Sequence, residues 1–272
     1  MFSEFPVSKV SERLVRAVMC LNSDEAPEGY FLTPAIRRSG IVVAVKNNVS
    51  IKTVENEFIP PQASFKGPYN IPYFFSYLGT SVTTFATDLH PIGLHEITKK
   101  SGAFFKNKYI DLKEVWPQEE ITDLVKALSQ EELTLRERAR IFDQFVISKM
   151  SAEISEKSVI VETVDRLVKA RAYKVSIDEI ADELITSRKT LERVFKEVLG
   201  LSPKQYFSVC IFEDMIRAHV IQKENSMSDF LESPFYDFSH INKWFKKFTN
   251  TSPTNFASHD MNVMANILSP KI

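Results

Sequence analysis

The sequence predicts an α+β protein: a β-rich N-terminal half that ends in a pair of helices, followed by an all-α C-terminal part built on a duplicated helical unit. Three observations predict it. Residues from Gly29 to Ile110 are rich in strand formers and punctuated by turn residues. Helical spacing takes over after Trp116-Pro117. The stretch "FKEVLGLSPKQYF" at 195–207 returns as "FKKFTNTSPTNF" at 245–256. At 272 residues and 44% hydrophobic content, the chain is long enough for two domains with separate cores.

In chain order, the opening "MFSEFPVSKVSERLVRAVMC" mixes charge into its apolar positions as an amphipathic helix does. No apolar run approaches the roughly 18 residues of a membrane span, so a cytoplasmic protein with no membrane partner is expected. Strands follow in "GIVVAVKNN", "SIKTVENEFI" and "YFFSYLGTSVTTFATDL", separated by Pro60-Pro61, Gly67-Pro68, Pro72 and Gly79. Alternation sends Tyr73, Phe75 and Tyr77 to one face of their strand and Phe74 with Ser76 to the other. Facing inward, the three rings either line an apolar effector pocket or fill a barrel core. Helical spacing then links Ile121, Leu124, Val125 and Leu128, and next Leu135, Ala139, Phe142, Phe145 and Val146. The expected domains are 1–150, a polar linker at 151–157, and a helical domain at 158–272. Cys20 and Cys210 lie among apolar neighbours and are expected as buried thiols.

The repeat keeps one interval. Phe195, Pro203 and Tyr206 correspond to Phe245, Pro253 and Phe256, each fifty residues on. Upstream, Ile177, Ile180 and Leu191 correspond to Met227, Phe230 and Ile241. In the first copy, at 177–199, a short helix presents Ile177, Ile180, Ala181 and Leu184 on one face, and a turn follows at Ile185-Thr186. Ser187 caps a second helix whose inner stripe is Leu191, Val194 and Phe195, and Gly200 ends it. A small residue at Ala181 suits two helices crossing closely at a tight turn, which is helix-turn-helix grammar.

Charge is sorted by helix. Arg188, Lys189, Glu192, Arg193 and Lys196 occupy the outer surface of the second helix, while Asp178, Glu179, Asp182 and Glu183 stay on the first. A helix entering a duplex groove needs cations there, with donors at its N-terminal end. Net charge is −1, so a uniformly basic coat is excluded and any nucleic-acid binding rests on local charge. In the second copy, at 227–248, Asp237 is the expected cap, and Phe238, Ser239, His240, Asn242, Lys243, Lys246 and Lys247 face outward. A helix over 203–222 joins the copies. Its 20 residues span roughly 30 Å, close to the roughly 34 Å between successive major-groove faces of B-DNA.

"IADELITSRKTLERVFKEVLGLSPKQY" with "FSHINKWFKKFTNTSPTNF" resembles the C-terminal DNA-binding domain of AraC-type bacterial transcription regulators. The resemblance covers about Ser158 to Phe256 and implies double-stranded DNA as partner, with no catalytic residue and no cofactor. It implies base contacts from Lys189, Glu192, Arg193, Ser239, His240, Asn242 and Lys243, and phosphate contacts from Ser187, Arg188, Lys196, Lys246 and Lys247. RNA polymerase is the implied protein partner, and a homodimer is compatible. The second unit departs from the family pattern at Leu231 and Pro234, is one residue short, and has Asn250 where glycine is usual. "DLHPIGLHEITKKSGAFFKNKYIDLKEVW" resembles, more loosely, the cupin-like sensor domain of some of these regulators, which implies a β-barrel that binds a small effector or pairs subunits.

Two other classes stay open on the residues alone. The duplicated unit can be a relic within a ligand-binding or protein-interaction module, a reading that near-neutral charge favours. A cupin-type metalloenzyme would use His90, His95 and Glu96. Pro91 and Gly93, however, break any helix that could align the two rings, so these residues are expected in a loop and no metal site is assigned. Nucleophile elbows, phosphate loops and paired-acid sites are missing from the sequence.

Overall fold

The computed structural model describes residues 2–222 and 238–256; the side chains of 218–222, 238–241 and 253–254 lie outside that description. Six antiparallel strands form the larger sheet: β1 (Phe2–Phe5), β2 (Val15–Ser23), β4 (Gly40–Lys46), β7 (Ala63–Lys66), β9 (Val82–Leu89) and β10 (Tyr109–Asp111), ordered β1-β2-β9-β4-β7-β10. The smaller sheet contains β3 (Phe31–Thr33), β5 (Val49–Lys52), β6 (Glu57–Phe58) and β8 (Tyr73–Tyr77), ordered β3-β8-β5-β6.

The opening residues are strands, which corrects the expected amphipathic helix. Val15 and Val18 are β-branched, and β2 pairs along its length with β9, some sixty residues away, Cys20 opposite Phe85. Long-range pairing of this kind leaves no local signal, so it overrides the helical look of the charges. Alternation then gives the large sheet two different faces. Val18, Cys20, Ile41, Val43 and Phe85 enter the core shared with α3 (Gln118–Leu128) and α4 (Leu135–Ser148). Met19, Leu21, Val42 and Ala86 face the opposite way and line a cavity together with Val49 and Ile51 of the small sheet.

Two short helices, α1 (Gly93–Thr98) and α2 (Gly102–Phe105), lie between β9 and β10. His95 and Glu96 therefore belong to a helix, not the expected loop, and both are buried. Gly93 opens the helix instead of interrupting it, and its missing Cβ makes room for the Leu14 carbonyl, which a methyl group would meet at 2.7 Å.

The C-terminal part contains α5 (Glu156–Ala170), α6 (Ile177–Glu183), α7 (Arg188–Leu199), α8 (Pro203–Gln222), α9 (Phe238–Thr249) and α10 (Pro253–Phe256). Helix α5 starts inside the expected linker, capped by Ser155, whose side chain accepts from the Ser158 N–H. The interior does not divide into two cores. One apolar cluster runs from Leu14 and Phe85 through Phe142 to Val161, Phe195 and Cys210. A second joins Leu32, Ala35 and Ile36 of the N-terminal half to Phe212, Phe245, Phe248 and Phe256. Cys20 and Cys210 are buried free thiols, and burial pushes them up to about 11 and about 12, far from the thiolate form that reacts.

Glu96 ties the halves together. Burial pushes its carboxyl up, but Lys99, the hydroxyls of Ser155 and Ser158 and the Ser155 N–H pull it down further, to about 2. Close backbone approach does the same work between α2 and α7: a Cβ on Gly102 would meet the Gly200 nitrogen at 2.3 Å, and one on Gly200 would meet the Gly102 oxygen at 2.4 Å.

Candidate functional site

Helices α6 and α7 form a tight two-helix unit. Ser176 and Glu179 make a capping box that starts α6. Ala181 is 2% exposed where the two helices cross, and its carbonyl accepts from the Thr186 N–H at 2.9 Å to close the turn. Ser187 caps α7 by accepting from the Thr190 N–H at 3.1 Å. Leu191, Val194, Phe195 and Val198 are buried, which leaves Arg188, Lys189, Arg193 and Lys196 exposed and Glu192 half-buried. Arg188 is braced by Asp178 and Glu192, both at 3.1 Å. Gly200 ends the helix in the left-handed region at φ 74°. Ile185, in the turn, adopts φ 49° and is 95% exposed, a β-branched residue where glycine is at ease; sequence reading passed over it.

Helix α8 starts at Pro203 and continues for 20 residues, roughly 30 Å, to the region that precedes α9. In α9, Phe245 and Phe248 are buried against Phe212 and Phe256, so Lys243, Lys246 and Lys247 are exposed and Asn242 is half-buried. Lys247 Nζ lies 4.8 Å from the centre of the Phe248 ring. Asn250 adopts φ 60°, a conformation asparagine tolerates. Ser239 and His240 fall within α9, but their side chains lie outside the described residues, as do Asp237, Leu231 and Pro234.

A family model described as a helix-turn-helix domain matches residues 180–259, from within α6 to beyond α10. The chain carries a helix-turn-helix domain over these residues. The solved structures similar to it include ToxT from Vibrio cholerae O395, at 11% identity over 94% of this chain and 98% of that one, with a TM-score of 0.48. ToxT from Vibrio cholerae strain SCE256 bound to an unsaturated fatty acid is similar at 13% identity over 88% and 93%, with a TM-score of 0.48. The AraC-like transcriptional activator CuxR is similar at 13% identity over 84% and 83%, with a TM-score of 0.31. None of the curated proteins matches the chain. Among the described residues no helix is long and apolar enough to cross a membrane.

Between the two sheets of the N-terminal half lies a cavity of about 410 Å³. Tyr73, Phe75 and Tyr77 all line it, and burial pushes the Tyr77 hydroxyl up to about 12. Its wall also carries a buried charge cluster that sequence reading missed. Asp88 is 1% exposed, with Arg38 Nη1 at 3.5 Å and Arg16 Nη1 at 3.7 Å from its Oδ2. A signal existed: Asp88 shares strand parity with Val82, Thr84 and Ala86, the positions of β9 that turn inward.

The segment Leu32–Ser39 has two sides. Thr33, Ile36, Arg38 and Ser39 line the cavity. Leu32 and Ala35 pack with Phe212, Phe245 and Phe248, and the Ala35 N–H donates to the Phe248 carbonyl at 2.8 Å. Arg37 lies between them in sequence and pairs with buried Glu213 of α8 at 3.0 Å and with Asp214 at 3.7 Å. One strap is therefore both cavity wall and seat for α8 and α9.

Proposed function

We propose that this protein is a DNA-binding transcription regulator of the AraC type that reads two successive major grooves, with α7 in one, α9 in the next, and α8 as the spacer. The observation that carries the reading is the outward placement of cations on both helices, Arg193 and Lys196 on α7, Lys243 and Lys246 on α9, at the two ends of a 20-residue helix. Lys189, Glu192, Arg193, Asn242 and Lys243, with Ser239 and His240, are assigned to bases. Ser187, Arg188, Lys196, Lys246 and Lys247 are assigned to phosphates. Residues 1–150 form the sensing unit and 158–272 the reader. The protein works in the cytoplasm, as a homodimer where the operator has paired sites, and contacts RNA polymerase.

The cavity is the effector site, with Tyr73, Phe75 and Tyr77 on its wall. The strap supports effector control, because a ligand pressing on Thr33, Ile36 or Arg38 displaces residues that hold α8 and α9 through Arg37 and Ala35. The test is a low-salt gel shift of the full chain with genomic fragments. Specific retention of a subset, lost on Arg193→Ala, is expected, and equal retention of every fragment would return the relic reading.

A further inference from the structure

Asp88 is an unusual wall for an apolar cavity. Its side chain is fully buried, yet neither Oδ1 nor Oδ2 accepts a hydrogen bond, since the guanidinium nitrogens of Arg16 and Arg38 stand at ion-pair distance and beyond hydrogen-bond reach. A buried carboxylate has room for several donors and normally finds them. Thr33 Oγ1, on the same cavity's lining, is likewise buried without a partner. Apolar side chains such as Leu21, Val42, Ile51 and Phe75 make up most of the rest of the lining, with Glu25, Arg38 and Lys66 as its other charged members.

We infer that the cavity binds a neutral amphiphile: a hydrocarbon body against the apolar walls and a hydroxyl head whose O–H donates to Asp88. The inference rests on the effector reading of the cavity and names the chemistry of its ligand. Each charged head group meets a charge of its own sign. A carboxylate would be brought against the Asp88 carboxylate, and the two guanidinium groups there, Arg16 and Arg38, are already paired with Asp88. An ammonium would satisfy Asp88 but would sit beside Arg16 and Arg38. A hydroxyl fills the vacant acceptor and adds no charge, and the volume falls within the range of small-molecule sites.

Three probes of equal body separate the heads: decanol, decyl methyl ether, which accepts but cannot donate, and decanoate. Titration calorimetry and thermal shift on the full-length protein are expected to show decanol binding at least about tenfold more tightly than the ether. Decanoate should bind more weakly than decanol. Asp88→Leu, which removes both acceptor oxygens, should erase most of the preference for decanol over the ether. The comparison of decanol with the ether uses unaltered protein, so it decides the matter even if that variant does not fold. Equal affinity for decanol and the ether, or decanoate the tightest of the three, overturns the head-group assignment while the cavity remains an effector site. If no probe binds, and filling the space with Ala86→Phe leaves effector-dependent DNA binding in cell extract unchanged, the effector reading falls and this inference with it.

Discussion

Helices α7 and α9 are seated differently, and the difference bears on the contacts proposed for each. Helix α7 is held by its own domain and by α2, with its glycine end pressed on the backbone of Gly102. Its four cations share the helix with Glu192 and Glu197, and Arg188 is braced by two carboxylates. Helix α9 has three lysines and no acid, and it sits on rings, with Phe248 bonded through its carbonyl to the N-terminal strap. A braced, charge-balanced surface suits base reading, where placement decides. In α9 the uncompensated lysines add field at Lys246 and Lys247, the phosphate positions, beside the base contacts assigned to Asn242 and Lys243. The strap also ties the second helix, through the Phe248 carbonyl, to a segment that lines the cavity.

The sharpest way to break this contrast is at the seat of α7. Gly200→Ala adds a methyl 2.4 Å from the Gly102 oxygen at a residue of φ 74°, and about 3 kcal/mol or more of stability should be lost in a denaturant titration. Next in size are the DNA contacts. Arg193→Ala should cost about 1–3 kcal/mol at a cognate site and relax its preference, whereas Lys246→Ala should weaken all sequences alike and lower the salt slope by about 1. Equal behaviour of the two variants would erase the distinction between the helices.

The joint between the halves titrates. The Glu96 carboxyl is held at about 2, below its ordinary value near 4.5, so its contribution is fully present above pH 4.5 and is lost as the pH falls toward 2. Glu96→Gln should therefore flatten the acid limb of the stability curve over that window, and an unchanged limb would count against the joint. The smallest effect belongs to the turn of the first unit. Ile185→Gly relieves a left-handed β-branched residue that makes no buried contact, and stability should rise by about 1 kcal/mol.

What the sequence disclosed was local. The Ser187 cap, the Gly200 stop, the small Ala181 at the crossing and the left-handed Asn250 each depend on residues within a turn or two, and each stands where periodicity put it. The outward face of α7 was legible for the same reason. What depended on distant partners was not legible. Strand β2 looked helical until β9 supplied its pairing, and His95 and Glu96 looked like loop residues until α1 buried them. The shared core and the Arg37–Glu213 pair join residues some 176 positions apart, and no spacing rule reaches that far. Asp88 lay between these cases: its parity on β9 was readable, but the cavity that gives the parity meaning was not.

The most direct measurement is a methylation-protection footprint of the full-length protein on a fragment it selects. Two protected major-groove patches on one side of the duplex, about one helical turn apart, are predicted, with Arg193→Ala clearing one patch and Lys243→Ala the other. A single patch, or two on opposite sides, would contradict the account.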